Sequence, residues 1–305
     1  MCTDERINPY EFYEITKETL DCLAQERDIT NLERYYGLPE YLDSSPFPLK
    51  SFSGKAQIFA QMAFHAQNAT MISNIVKFNQ EIDFLRDKLC AFDPGAFLKK
   101  YPPSNDPKDR QKSIDRIVED LRYDEKTGKG LKWNSKKSKL ENKDKIMKRY
   151  ADSLIYCAEY VDSFKNKQEL LDDLKSHYPN KDCYKSLIKY FREKIKVGFS
   201  VALACDFLKE FDMAFHDLPK PDIHIKDTLS AFYGNDKRFY SGEKGLYKCI
   251  EKMQELTEEI NQKLPGDQKI TVYQLDRMIW LICSGNFFLD NKEDSKSDYL
   301  KKISN

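Results

Sequence analysis

The residues in this sequence best placed to do chemistry lie between Phe191 and Leu229, in FREKIKVGFSVALACDFLKEFDMAFHDLPKPDIHIKDTL. A helix, a tight turn at Val197-Gly198, a second helix from about Ser200 to Glu210 and a loop through Pro219 and Pro221 lead to Asp222, at the start of a third helix. A short turn with one glycine between two helices makes a compact αα-hairpin. The second helix then opens with main-chain N–H groups and the positive end of its dipole, a setting that favours an anion such as a DNA phosphate. Lys196, Val197, Gly198 and Ser200 are the backbone-binding positions this predicts. A carboxylate one helix and one loop later suits cleavage of a glycosidic bond, because the transition state is cationic at the sugar and a fixed negative charge stabilises it. Two blander uses stay open: Asp222 as a helix cap, and the hairpin as a binding element with no reaction attached.

Other chemistries fall away. The sequence holds no phosphate-binding P-loop, no dinucleotide-binding glycine fingerprint, no nucleophile elbow and no H-E-x-x-H pair, so neither a nucleotide cofactor nor a metalloprotease site is expected. The four histidines (His65, His177, His216, His224) are not spaced as a ligand set, and the eight cysteines are scattered without a C-x-x-C, so no metal is expected. Cysteines on apolar faces, no secretory leader and no apolar run of about 18 residues point to a soluble, cytoplasmic protein in a reducing compartment, with no membrane partner. Lys plus Arg and Asp plus Glu both total 50, so the molecule has no net field to steer it to nucleic acid. Residues 126–149 are the local exception, with ten Lys or Arg against Glu141 and Asp144, an excess of eight positive charges. Such a run is either a solvated loop or a phosphate-contacting arm using Lys136 and Lys137, with Trp133 able to wedge or stack against a base.

The positioning elements read as helices throughout. Asn8-Pro9 opens a helix over Tyr10 to Arg27, a short one covers Thr30 to Tyr36, and Pro39, Pro46 and Pro48 mark a loop. Phe52 to Leu89 is helical almost throughout, Gly95 to Tyr101 follows, and the Pro102–Pro107 stretch marks a lobe boundary. Helices are predicted over 113–122, 146–164, 168–177, 246–263 and 272–283, with Gly242 and Gly245 in a loop and a loose polar tail from Asp290. No strand pattern or internal repeat emerges; the class is all-α, and 305 residues with 40% hydrophobic content suffice for two lobes.

KVGFSVALACDFLKE followed by LPKPDIHIKDTL resembles the helix-hairpin-helix DNA glycosylase superfamily, of the methyladenine or oxoguanine glycosylase type. Gly198 matches the second hairpin glycine, Ala202 the small residue of the next helix and Asp222 the catalytic aspartate. IFAQMAFHAQNATM is similar to the family's early helix and places Gln61 near the lesion and opposite strand; AFDPGAFLKKY continues the likeness. Two positions depart from the pattern. Lys196 stands where the family prefers its first hairpin glycine. Ser200 stands where bifunctional members carry a Schiff-base lysine, which implies a monofunctional enzyme using water, although Lys194, Lys196 and Lys226 keep lyase activity open.

The resemblance implies a two-lobed helical fold with the hairpin (182–210) beside a central, DNA-facing cleft. One lobe would join 1–109 with 225–305, and the other would hold 110–224 with the basic segment. It implies a flipped base held among aromatic faces, for which Phe64, Tyr156 and Phe199 are the candidates, no cofactor, and a monomer acting on DNA by base excision. The basic segment suggests a bulky modified base on phage DNA, hence antiviral defence instead of housekeeping DNA repair. The competing expectations are a non-catalytic helical DNA-binding or interaction protein and, more remotely, a helical scaffold.

Overall fold

The computed structural model describes residues 7–37, 52–67, 81–122, 125–131, 140–284 and 294–304. Among these residues the chain is helical without a strand; one isolated bridge joins Arg122 and Leu131. It divides into two compact units, Met1–Ser45 with Leu208–Asn305, and Pro46–Phe207. A unit assembled from both chain ends and a central unit were expected, with junctions at 109/110 and 224/225; the observed junctions are at 45/46 and 207/208. The shift has a packing cause. Two helices before residue 109, over 54–67 and 94–100, pack on a helix of the central segment.

That helix is α7 (Leu140–Asp162), preceded by α3 (Gly54–Gln67), α4 (Ile82–Lys88), α5 (Pro94–Lys100) and α6 (Pro107–Leu121). In the central unit α3, α5, α6 and α9 (Tyr184–Ile195) pack on α7, and α8 (Lys167–Ser176) packs on α3. Tyr150, Leu154, Ile155, Cys157, Ala158 and Val161 form the buried stripe of α7, at the spacing that puts side chains on one helical face. Local chemistry sets the helix starts. Asp93 caps α5 and Asp106 caps α6, each followed by proline at the first helical position. The Asp106-Pro107 pair therefore begins α6 earlier than the expected 113–122. Phe52 to Leu89 is helical over 54–67 and 82–88, and 68–80 lies outside the described residues.

In the other unit α1 (Pro9–Gln25) starts with a reciprocal capping box, Asn8 Oδ1 accepting from Glu11 N while Glu11 Oε2 accepts from Asn8 N. It is followed by α2 (Glu33–Tyr36), α11 (Ile223–Tyr233), α12 (Gly242–Asn261), α13 (Val272–Ser284) and α14 (Asp294–Ile303). Helix α13 packs against the other five, burying Leu275, Ile279, Leu281 and Ile282. Helix α10 (Val201–Phe211) crosses the junction between the units.

Two expectations need correction here. Gly242 and Gly245 begin α12 instead of forming a loop; a Cβ on Gly245 would come 2.3 Å from the Tyr240 carbonyl carbon, so the glycine serves a close backbone approach. The tail beyond Asp290 is not loose where it is described. Helix α14 buries Tyr299 and Ile303, and the Tyr299 hydroxyl is 2.9 Å from Thr16 Oγ1. Polar composition hides this helix, because its docking needs only a few apolar side chains.

Candidate nucleic-acid interface and carboxylate site

In the central unit, α9 buries Tyr184, Leu187, Ile188, Phe191 and Ile195 and ends in a γ-turn. Val197 N–H donates to Ile195 C=O around Lys196, whose φ is +54° and ψ −41°. This is the strained form of the γ-turn, held by a residue with a side chain. Gly198 follows at φ +95°, where a Cβ would lie 2.5 Å from Ser153 Cβ and 3.8 Å from Ala66 Cβ. The glycine thus meets two demands, a left-handed backbone and contact with α7 and α3. Exposed Ser200 caps α10, its Oγ accepting from Leu203 N at 3.3 Å. Among the described residues, the N–H groups of Gly198, Phe199 and Ser200 donate to no protein acceptor.

The Lys196 ammonium sits 5.3 Å from the centroid of Tyr156, a half-buried ring also covered by the Arg110 guanidinium at 3.9 Å. Arg110 is neutralised by Asp152 at 2.7 Å and faces Glu159 at 3.7 Å, whereas Lys196 has no carboxylate partner among the described residues. Tyr156 and Lys196 are thus brought together beside the turn. Phe199 is not open to a ligand. It lies edge-on to Phe191 and Phe207 in a buried ring cluster. Phe64 is buried with its ring against His65, and half-buried Gln61 stands three residues earlier on α3. Trp133, Lys136 and Lys137 lie outside the described residues. Of the rest of the basic run, Leu131 is buried and Lys148 pairs with Asp115 at 2.9 Å, while residues 140–149 belong to α7. Arg110 and the buried pair of His65 and Asp206, 3.4 Å apart, are neighbours of these positions that the sequence does not announce. No local pattern marks them, since each joins segments far apart in sequence.

In the unit built from the chain ends, Asp222 is half-buried at the N-cap of α11. Its Oδ1 accepts from His224 N at 2.8 Å and Ile225 N at 3.2 Å, the capping geometry. Oδ2 accepts no hydrogen bond among the described residues. His224 beside it is held below the ordinary imidazole value, chiefly by burial and further by the Lys296 ammonium, against the opposing pull of Asp222. Its Nδ1 is 3.4 Å from Lys296 Nζ; since an ammonium only donates, the ring proton is assigned to Nε2. Lys296 also pairs with Asp227 at 2.7 Å, as Lys237 does at 2.8 Å. Burial alone would raise the Asp227 carboxyl, but the two lysines outweigh it and hold it below the usual range. Lys296 lies on α14, where polar composition predicts a loose tail, so this half of the cluster is invisible in the sequence for the same reason.

The remaining histidines are packing groups. His177 stacks on Tyr190 at 3.6 Å and His216 on Tyr273 at 4.9 Å. Lys194 lies over the Tyr190 ring at 5.1 Å, and Lys226 is half-buried on α11. Among the described residues no group of three His, Cys, Asp or Glu side chains could hold a metal ion, and no helix is long and apolar enough to cross a membrane. Burial pushes the thiols of Cys249 and Cys283 up to about 12, which leaves them inert as nucleophiles. Comparison with protein-family models, curated proteins and solved structures returned no match.

Proposed function

We propose that this chain binds DNA through the 196–200 turn and excises a damaged or modified base as a monofunctional DNA glycosylase. The observation that carries this reading is the turn itself: two left-handed residues in three, unused amides at the start of α10 and an ammonium with no carboxylate partner among the described residues. Strain of this kind persists where the surroundings hold it and often accompanies function, and every component here favours a phosphate. Asp222 supplies the reaction. Its unused Oδ2 stabilises the cationic sugar and orients water, and the ring N–H of neutral His224 is a donor close by. Ser200 offers a hydroxyl and no amine at that position, so the products of the monofunctional reaction are a free base and an abasic strand, and strand cleavage before alkali would point instead to a lyase amine from Lys194, Lys196 or Lys226. A modified base on phage DNA, and hence a role in defence, extends the same reading from the charge excess of residues 126–149.

The second reading is a DNA-binding protein without catalysis, favoured by the two capping hydrogen bonds that already give Asp222 a structural use. Asp222→Asn separates the two, because asparagine caps a helix about as well as aspartate yet carries no charge. Wild-type and variant protein are incubated with unmodified, alkylated, oxidised, deaminated and modified-cytosine phage DNA, then treated with alkali. A glycosylase breaks strands only in the wild type, while both proteins bind DNA with equal affinity. Binding by both with abasic sites from neither rejects the enzyme reading.

A further inference from the structure

The core of the chain-end unit holds an ion pair that the proposed reaction does not use: Lys209 on α10 with Asp276 on α13, side chains 3% exposed each. Replacing such a pair by apolar groups of similar size is often neutral or stabilising, so stability is a weak reason for its presence. Its geometry suggests another. Asp276 Oδ2, the oxygen facing Lys209, also accepts the main-chain N–H of Lys220 at 3.0 Å, across 56 residues of sequence.

Lys220 lies in Leu218-Pro219-Lys220-Pro221-Asp222, where neither proline has an N–H. Lys220 therefore owns the only main-chain donor between Leu218 and Asp222. From there the path to the carboxylate is short: Asp222 N–H donates back to Lys220 C=O at 2.7 Å, Pro221 fixes its own φ, and Asp222 Oδ1 closes the first turn of α11. The preceding loop is tied at its other end, by Tyr273 N–H on His216 C=O at 2.9 Å and Gln254 Nε2 on Asp217 C=O at 2.9 Å.

We infer that Asp276, held in place by Lys209, is a positioning residue: through the Lys220 amide it sets where the Asp222 carboxylate stands. The inference rests on Asp222 being the reacting carboxylate of the proposed glycosylase. Lys209 neutralises a carboxylate that would otherwise be an isolated buried charge, and Asp276 converts that fixed point into the register of Asp222.

Two double variants isolate the acceptor from the charge. Lys209→Met with Asp276→Asn keeps an oxygen for the Lys220 N–H; Lys209→Met with Asp276→Leu does not. With the Leu variant, amide hydrogen exchange at His224 and Ile225 quickens about tenfold, as expected for a weakened cap. Its saturating rate of base release falls about 10²-fold with DNA affinity unchanged, the cost of a displaced reacting group. The Asn variant stays near wild type in both. Should the Leu variant not fold, Lys220→Pro removes the same hydrogen bond from its other end with the ion pair in place, and the same losses are expected. Equal exchange at His224 and Ile225 in the Asn and Leu variants, or wild-type exchange in Lys220→Pro, overturns the positioning role. Absence of abasic sites with the wild type on every DNA overturns the glycosylase reading instead, and exchange alone then decides the positioning.

Discussion

At the scale of single residues, the turn between α9 and α10 balances local strain against contact. Lys196 holds a left-handed conformation that glycine adopts freely, at a cost of roughly 1–2 kcal/mol. Lys196→Gly should accordingly stabilise the central unit by about 1 kcal/mol, read from the urea midpoint. The same change removes one ammonium from the proposed phosphate site, and the slope of log affinity against log salt should fall by about one. An unchanged slope would show that Lys196 does not meet DNA. Gly198 behaves in the opposite way. Gly198→Ala combines a forbidden φ with a Cβ 2.5 Å from Ser153 Cβ, and should destabilise by about 1–3 kcal/mol. Adding Ser153→Gly should recover the steric part and leave the backbone part, so full recovery would refute the conformational argument. For Asp222, Ala should cost about 1 kcal/mol through the lost cap, whereas Asn should leave the melting temperature unchanged.

At the scale of elements, the most informative helix is α14. Its ten residues include three lysines, two aspartates and two serines, which is the composition of a solvated tail. Tyr299 outweighs that composition by filling the core beside α1 and bonding Thr16. Tyr299→Ala should cost about 3–5 kcal/mol, as other large core truncations do, and Tyr299→Phe only about 1 kcal/mol for the single hydrogen bond. Both are measurable by denaturant unfolding; a Tyr299→Ala effect below the Phe effect would mean α14 is not docked. Because α14 also carries Lys296, its loss should let the His224 imidazole titrate closer to its ordinary value, as followed by ring-proton NMR.

At the scale of the whole molecule, equal numbers of acidic and basic residues leave local clusters to govern both binding and acid stability. Burial holds His216 and His224 below the ordinary imidazole value in the folded state. The unfolded chain therefore binds more protons than the folded one as pH falls through about 6.5. Stability from these groups is fully present above that pH and declines below it. Asp227, held below the usual carboxylate range, keeps its contribution until the solution is more acidic still. Urea midpoints should thus drop between about pH 7.5 and about pH 5.5, on either side of the free imidazole value. A His216→Gln, His224→Asn double variant should flatten that drop; an unaltered drop would place the acid sensitivity elsewhere.

Much of the architecture was legible because it is local. The 3.6-residue spacing of apolar side chains, proline and glycine at element ends, and a capping oxygen within three residues of the amide it serves all lie within one helical turn of each other. They sufficed for the all-α class, for most helix positions, for a tight turn about Val197-Gly198 and for a helix starting at Asp222. Tertiary structure alone decided which faces met. It moved the unit junctions to 45/46 and 207/208, folded α14 onto α1, set Lys296 against His224 and brought Asp276 to the Lys220 amide. Each of these depends on burial shared between distant segments, and the free energy of burial follows the area two surfaces remove from water together, a quantity that neither segment carries alone.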